Sequence, residues 1–335
     1  MFEIVFLGTS ASAPSVHRGL TSTAILAGEY RFLIDCGEGT QRQILRSGIG
    51  YKRLNRILLT HGHLDHILGL GGLMSTFARW ESIDDIEIWG GKATLDRVSA
   101  LLYGVVLDFE RIEIDIRMYD LKPGPIMETK DFAVSAFPVT HRGPGCFGFS
   151  LEEKARRPFL VEQADALGVP AGPERGRLVA GQSVTLADGR VVTPDMVLGE
   201  TQPGVKLVYV GDTGRTENLR EYVQGANTLV IESTFLDAEV EQARAFGHIT
   251  ARQAAELASE CGVGSLILNH VSRRYREMDI IDEVRRYFPD SYVARDFDHF
   301  ATRRGKPIEK LSREPQRMYE AEEEGAKDDE PENGG

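Results

Sequence analysis

The 335-residue sequence predicts an α/β layered domain on three observations: apolar strand-like runs alternate with helical stretches, polar residues stand where those runs end, and the composition is 41% hydrophobic against 27% charged. A chain of this size buries about three quarters of the surface it exposes when unfolded, so a substantial core is available without staples. Phe2 to Leu7 is a short strand ended by Gly8-Thr9-Ser10, and Ala24 to Leu26 and Arg31 to Ile34 flank Gly28 as a hairpin does. Gln41 to Ser47 is a candidate helix, Arg56 to Thr60 a buried strand, and Ile67 to Trp80 has helical periodicity after a His-rich turn. Strand candidates follow at Asp85 to Trp89, Val134 to Val139, Lys206 to Val210 and Thr228 to Ile231. Thr250 caps a helix reaching Glu260, and Ser265 to Asn269 is a further strand.

Two segments break this rhythm. Between Glu152 and Gly204 the chain is rich in Gly and Pro, with Asp188-Gly189 as a hairpin turn, which is the mark of a functional insertion or a subdomain. The predicted organisation is therefore a catalytic domain over 1–308 with an arm at about 152–204, and an acidic, disordered tail over 309–335. From Leu311 to Gly335 nine acids face three bases, so the tail carries −6 of the formal net charge of −12. The overall acidity argues against nucleic-acid binding, but half of it lies in the tail, and the −6 that remains says little about any one face. Arg42, Arg46, Lys52, Arg53 and Arg56 form a run with no acid between them, and Arg273, Arg274 and Arg276 form another; both are candidate phosphate contacts. Cys36, Cys146 and Cys261 are odd in number and far apart, which predicts reduced thiols in a cytoplasmic protein. No basic leader precedes the first strand and no apolar window is long enough for a membrane span.

The chemistry is concentrated in His61-Gly62-His63-Leu64-Asp65-His66, directly after a strand. Three imidazoles in six residues repel one another when protonated, and with a carboxylate among them a metal supplies the reason for gathering them. His61 and His63 can project to one side of an extended segment, while Asp65 and His66, entering a helix, can turn toward a second point. Single donors follow other apolar strands at His141, Asp212 and His270.

These residues resemble the metallo-β-lactamase superfamily of two-metal hydrolases, and finer motifs are similar to its tRNA 3′-processing branch, the ribonuclease Z family. The motifs are Phe6-Leu7-Gly8-Thr9, Asp35-Cys36-Gly37-Glu38-Gly39-Thr40-Gln41-Arg42-Gln43, Gly211-Asp212-Thr213, Ile231-Glu232-Ser233-Thr234-Phe235, Gly247-His248 before Thr250-Ala251, and His270-x-Ser272-x-Arg274-Tyr275. The resemblance implies a four-layer αββα sandwich with a protruding flexible arm. It implies two Zn2+ per subunit, one held by His61, His63 and His141, the other by Asp65, His66 and His270, with Asp212 bridging. It implies cleavage of precursor tRNA by a hydroxide shared between the metals, leaving a 3′-hydroxyl on the tRNA and a 5′-phosphate on the trailer. Asp65 would also accept a proton from the attacking water, and His248, oriented by Glu232, would protonate the departing 3′-oxygen.

The resemblance further implies a homodimer whose arms clamp the tRNA elbow through Gly172-Pro173-x-x-Gly176-x-Leu178, with Arg175 and Arg177 inside that motif and Arg274 near the metals. Two departures stand out. The variable positions of the metal motif hold Gly62 and Leu64 where this branch often has Leu and then Gly, and the loop Pro14 to Gly19, associated with sensing the tRNA 3′ end, ends in Gly where many relatives have Asn. The competing readings are a small-molecule phosphodiesterase of the same fold and a non-catalytic tRNA-binding subunit.

Overall fold

A computed structural model describes residues 1–78, 83, 85–107 and 114–312. The first sheet begins with β1 (Phe2–Gly8), β2 (Ser22–Ala27), β3 (Tyr30–Ile34), β4 (Arg56–Leu58), β5 (Asp85–Gly90) and β6 (Asp115–Asp120), neighbours in that order. Along it lie α1 (Thr40–Arg46), α2 (Leu64–Ile67), α3 (Gly69–Phe77) and α4 (Lys92–Leu101). The second sheet takes β7 (Gly124–Glu128), β8 (Phe132–Pro138) and β9 (Phe147–Glu153). The chain then makes α5 (Val161–Ala166), α6 (Pro173–Val179), a hairpin of β10 (Val184–Thr185) and β11 (Val191–Val192), and α7 (Pro194–Val197). It returns to the second sheet with β12 (Lys206–Tyr209), β13 (Thr228–Ser233), β14 (Ser265–Val271) and β15 (Ser291–Val293), between which lie α8 (Arg220–Val223), α9 (Val240–Phe246), α10 (Ala251–Glu260) and α11 (Glu277–Val284). Finally β16 (His299–Thr302) pairs with β1, and β17 (Glu309–Leu311) pairs with β16.

Three apolar cores make this an αββα sandwich. Phe2, Ile4, Phe6 and Phe32 of the first sheet meet Val134, Phe149, Leu151 and Tyr209 of the second, all buried. The outer face of the first sheet packs Leu33, Ile57 and Ile88 against Ile44, Leu70, Leu73 and Val98 of the helices. The outer face of the second packs Val208, Leu229 and Leu266 against Val223, Ala254, Leu257 and Ile280. Strands such as β13 and β14 are buried on both faces, which is why they read as continuous apolar runs.

Two expectations change. The proposed tail boundary at 309 falls inside the sheet, because Glu309, Lys310 and Leu311 pair with Ala301, Phe300 and His299. An edge strand needs few apolar residues, so a strand with two charged residues of three, its Lys310 paired to Asp298 at 2.7 Å, passes for tail in the sequence. The run Ile67 to Trp80 contains the end of α2 and all of α3; residues 79–80, and the tail from 313 onward, lie outside the described residues. No described helix is long and apolar enough to cross a membrane.

The insertion is a unit with its own core. Ala164, Val169, Leu178, Val184, Val192 and Val197 are buried together, apart from the cores of the sandwich. The Asp188-Gly189 turn forms as expected, with Gly189 at φ 86 and its N–H donating to the Leu186 carbonyl at 3.0 Å. The arm leaves after β9 and returns into β12, at the end of those strands opposite the one that carries His141 and Asp212.

Candidate metal centre

The chain ends six strands on one edge of the sandwich, and each delivers a polar residue there: Asp35 after β3, His61 after β4, His141 after β8, Asp212 after β12, Thr234 after β13 and His270 within β14. His270 needs a distortion. Along β13 and β14 the register runs Glu232 to Asn269 and then Ser233 to Val271, so His270 is an extra, bulged residue at φ 52. Such a left-handed conformation costs about 1–3 kcal/mol for a non-glycine residue and persists when the surroundings over-determine it. Asp35, at φ 58, is the second case.

The donors separate into two groups around one carboxylate. His61, His63, His141 and Asp212 bring one ligand atom each within 4.8 Å of one another, and Asp65, His66 and His270 do the same. Asp212 Oδ2 lies 3.8 Å from His61 Nε2 and 3.7 Å from His141 Nε2, while its Oδ1 lies 3.4 Å from His66 Nε2 and 3.3 Å from His270 Nε2. One oxygen faces each group, which is the arrangement of a bridging ligand. Asp65 Oδ2 lies 3.5 Å from His270 Nε2 and accepts the Ser12 N–H at 2.9 Å.

Counting protons fixes which nitrogen of each ring is free. Thr60 Oγ1 lies 2.8 Å from Asp35 Oδ2, an acceptor, so the hydroxyl proton goes there and its oxygen receives Nδ1–H of His61 at 3.0 Å. Thr234 likewise gives its proton to Glu232 Oε2 at 2.5 Å and receives Nδ1–H of His270 at 2.9 Å. His66 donates Nδ1–H to Asp35 at 2.8 Å, and His141 donates Nδ1–H to the Gly247 carbonyl at 2.7 Å. All four rings thus keep Nδ1–H for the protein and turn Nε2 inward; against its burial, Asp212 and Asp35 hold the His66 imidazole well above its ordinary value, so its Nε2 would release a proton when a cation binds. His63 Nδ1 sits 3.3 Å from His141 Nε2, close to a second nitrogen lone pair.

The fit to divalent cations rests on what these atoms lack. Nε2 of His61, His66 and His270 and Oδ1 of Asp212 are buried without a hydrogen-bond partner, a concentration that is costly unless something else satisfies them. Burial, with the neighbouring His66, pushes the His61 imidazole well below its ordinary value, into the neutral form a metal requires. Against its own burial, Asp212 is held well below the usual carboxylate range by His270 and His66, so it is ionised. Imidazole and carboxylate donors suit zinc, manganese, iron and cobalt.

Glu232 and His248 form a second pair beside this cluster. His248 Nδ1 is 2.9 Å from Glu232 Oε1, whose other partner is the Thr213 N–H at 2.7 Å. Burial opposes protonation of His248, but the carboxylates of Glu232 and Asp212 outweigh it and push the imidazole up to about 9. Gly62 explains a departure in the metal motif: a Cβ there would lie 3.2 Å from Thr94 Cα of α4, so a leucine would not fit unless α4 shifted.

Comparison with known proteins gives the same picture. The Metallo-beta-lactamase superfamily profile matches residues 18–233. Ribonuclease Z of Bradyrhizobium diazoefficiens is 48% identical over 299 residues, covering 89% of this chain and 99% of the relative. The chain belongs to the ribonuclease Z family. Ribonuclease Z of Methanothermobacter thermautotrophicus is 37% identical over 88% of this chain and 95% of its own length. The short form of human tRNase Z has the same fold, with a TM-score of 0.62 at 24% identity over 89% of this chain and 98% of that one.

Other residues singled out in the sequence fall in different places. Arg175 is tied down inside the arm, its guanidinium donating to the Val169 carbonyl at 2.8 Å and pairing with Asp165, so it fastens the turn before α6. Gly172, at φ 140, and Pro173 start α6, and Arg177 is exposed beside Glu174 at 3.2 Å. The basic run divides: Arg42 and Arg46 are on α1, whereas Lys52 and Arg53 precede β4 and Arg56 opens it, at the strand end away from His61. Arg274 is exposed near the metal cluster. Arg18 is occupied, donating to Thr9 Oγ1 at 2.7 Å and the Ala294 carbonyl at 2.5 Å.

Sequence reasoning assigned no role to Asp35, Thr60 or Thr234, although Asp35 and Thr234 stand in motifs it quoted. Replacing Asp35 with alanine is expected to lower metal affinity or activity by about 10–100-fold, because His66 loses the acceptor that fixes its tautomer. Metal titration followed by calorimetry on folded variant protein checks this.

Proposed function

We propose that this protein is a metal-dependent endoribonuclease that removes the 3′ trailer from precursor tRNA, with two Zn2+ per subunit, acting in the cytoplasm as a homodimer. The observation that carries the reading is the coincidence of ribonuclease Z relatives over nearly the whole chain with two donor groups sharing Asp212. When bound, the two cations would lower the pKa of a water and neutralise charge on the in-line phosphoryl transition state.

The chain's own residues do the rest. His61, His63 and His141 would hold one ion, Asp65, His66 and His270 the other, and Asp212 would serve both. Asp65, held well below the usual carboxylate range by His270 and His66 despite its burial, is ionised and can accept a hydrogen bond from the attacking water. His248 carries a proton at neutral pH and gives it to the departing 3′-oxygen, while Glu232 holds the ring through Nδ1. Purified protein with zinc should cut a trailer-bearing precursor just after the discriminator base; an intact precursor would refute this reading.

The acid role sets a pH dependence. A raised pKa means that the imidazolium is present below about 9 and is lost as pH rises through that value, so the rate falls on the alkaline side. Glu232→Gln removes the largest charge holding the proton, and the alkaline limb should move to lower pH by about one unit or more. A pH–rate profile of the two proteins decides the matter.

The homodimer is supported by the position of the arm, which leaves the sandwich at the end of β9 opposite the metals. An arm that must hold the same tRNA that is cut serves that purpose more directly on a neighbouring subunit. Mixing an arm-deleted chain with a His270→Ala chain should restore cleavage that each lacks alone. No restoration, with mixed dimers shown to form, would place the arm in service of its own subunit.

A further inference from the structure

Beside the metal cluster, four side chains outside the ligand set form a continuous ladder. The Arg142 guanidinium lies over the Phe246 ring at 5.5 Å, the Phe246 and Phe235 rings are parallel within 3° at 6.3 Å, and the Arg274 guanidinium lies over Phe235 at 5.9 Å. They line an opening of about 290 Å³ together with His248, Thr234 and the Ala11 to Ala13 loop.

Each member is anchored close to a residue of the centre. Arg142 follows the ligand His141, Phe246 is two residues before His248, Phe235 follows Thr234, and Arg274 is four residues after His270. Gly247, between Phe246 and His248, takes a left-handed φ of 71 and offers its carbonyl to His141. The position of Phe246 is therefore coupled directly to the geometry of the site.

Phe246 is 46% exposed, an unusual state for a ring beside a charged cluster. Phe246 is not among the side chains that pack into the second-sheet core. An aromatic face with guanidinium groups next to it suits an unstacked nucleobase with its phosphate. The cation–π contact of an exposed guanidinium is weaker than base stacking, so an arriving base displaces Arg142 from the ring and frees it for a phosphate.

We infer that Phe246, backed by Phe235 and flanked by Arg142 and Arg274, is the stacking subsite for the base of the last nucleotide retained on the tRNA. The side of the cut follows from His248, which lines the same opening and serves the departing 3′-oxygen; that oxygen belongs to the retained nucleotide. The inference rests on the tRNA-processing reading above, and makes Phe246 a positioning residue for it.

The test pairs a protein change with a substrate change. Parent and Phe246→Ala proteins are assayed on a precursor tRNA and on the same precursor with an abasic site at the last retained nucleotide. Each change alone should lower kcat/KM by about 5–100-fold, and the two together should cost no more than either. Phe246→Tyr, which keeps the ring, should rescue most of the loss seen in Phe246→Ala, and a melting temperature of Phe246→Ala near the parent's guards against a folding defect.

Independent, multiplying effects would overturn the inference, as would coupling to an abasic site at the first trailer nucleotide instead. A parent protein that leaves every precursor intact would refute the tRNA-processing reading itself, a different outcome from either.

Discussion

Asp212→Ala is expected to lower precursor cleavage by at least about 10³-fold, which corresponds to ~4 kcal/mol of lost transition-state stabilisation. Among the described residues it is the one carboxylate with an oxygen facing each donor group. Its removal strips both sites of a shared anionic ligand and leaves four imidazole nitrogens without the charge they surround. Asp212 is held well below the usual carboxylate range against its own burial, so its charge stabilises the metal-free fold at neutral pH and the metal-free variant should melt below the metal-free parent. What also disappears is stabilisation by added zinc, worth about 2.7 kcal/mol in the parent at a hundredfold excess over Kd. Metal content, melting temperature with and without zinc, and cleavage rate are the three readings; a variant that keeps both metals and cuts at the parent's rate would remove Asp212 from the centre.

Phe149→Ala should produce the largest loss of stability, about 3–5 kcal/mol. Phe149 is fully buried in the middle of β9, paired with Ala136 of β8 and Tyr209 of β12, and its ring fills the space between the sheets. Neither neighbouring strand can move inward without breaking its own ladder, so the cavity stays largely open. β8 and β12 are also the strands that lead to His141 and Asp212. The variant's urea midpoint should fall, while cleavage by the fraction that remains folded should stay near the parent's rate. An unchanged midpoint would mean that the two sheets close over the gap.

The part of this protein that is legible in the sequence is the part governed by short range. His61, His63, Asp65 and His66 are close in the chain, and their repulsion signals a metal wherever they fold. His141, Asp212 and His270 are legible because each sits at or just past the end of an apolar run, where a strand meets the sheet edge. The layered α/β class follows from the same alternation, and the arm from its glycines and prolines.

Glu309 to Leu311 were misread because hydrogen bonding to β16, not hydrophobicity, makes them a strand. The contacts of Arg175 were illegible for a related reason: the carbonyls that a loop guanidinium satisfies are known only once the arm has folded.

The sequence by itself determined the donor types and the strands that would carry them, and the family it resembles implied how they divide around Asp212. Tertiary structure alone decided the distances that bring each Asp212 oxygen toward one group, and that Asp35, Thr60, Thr234 and the Gly247 carbonyl hold the imidazole protons away from the centre. The physical reason is separation along the chain: the Gly247 carbonyl holds His141 across 106 residues, and Asp35 holds His66 across 31. No local pattern encodes a hydrogen bond that exists only after both sheets have packed.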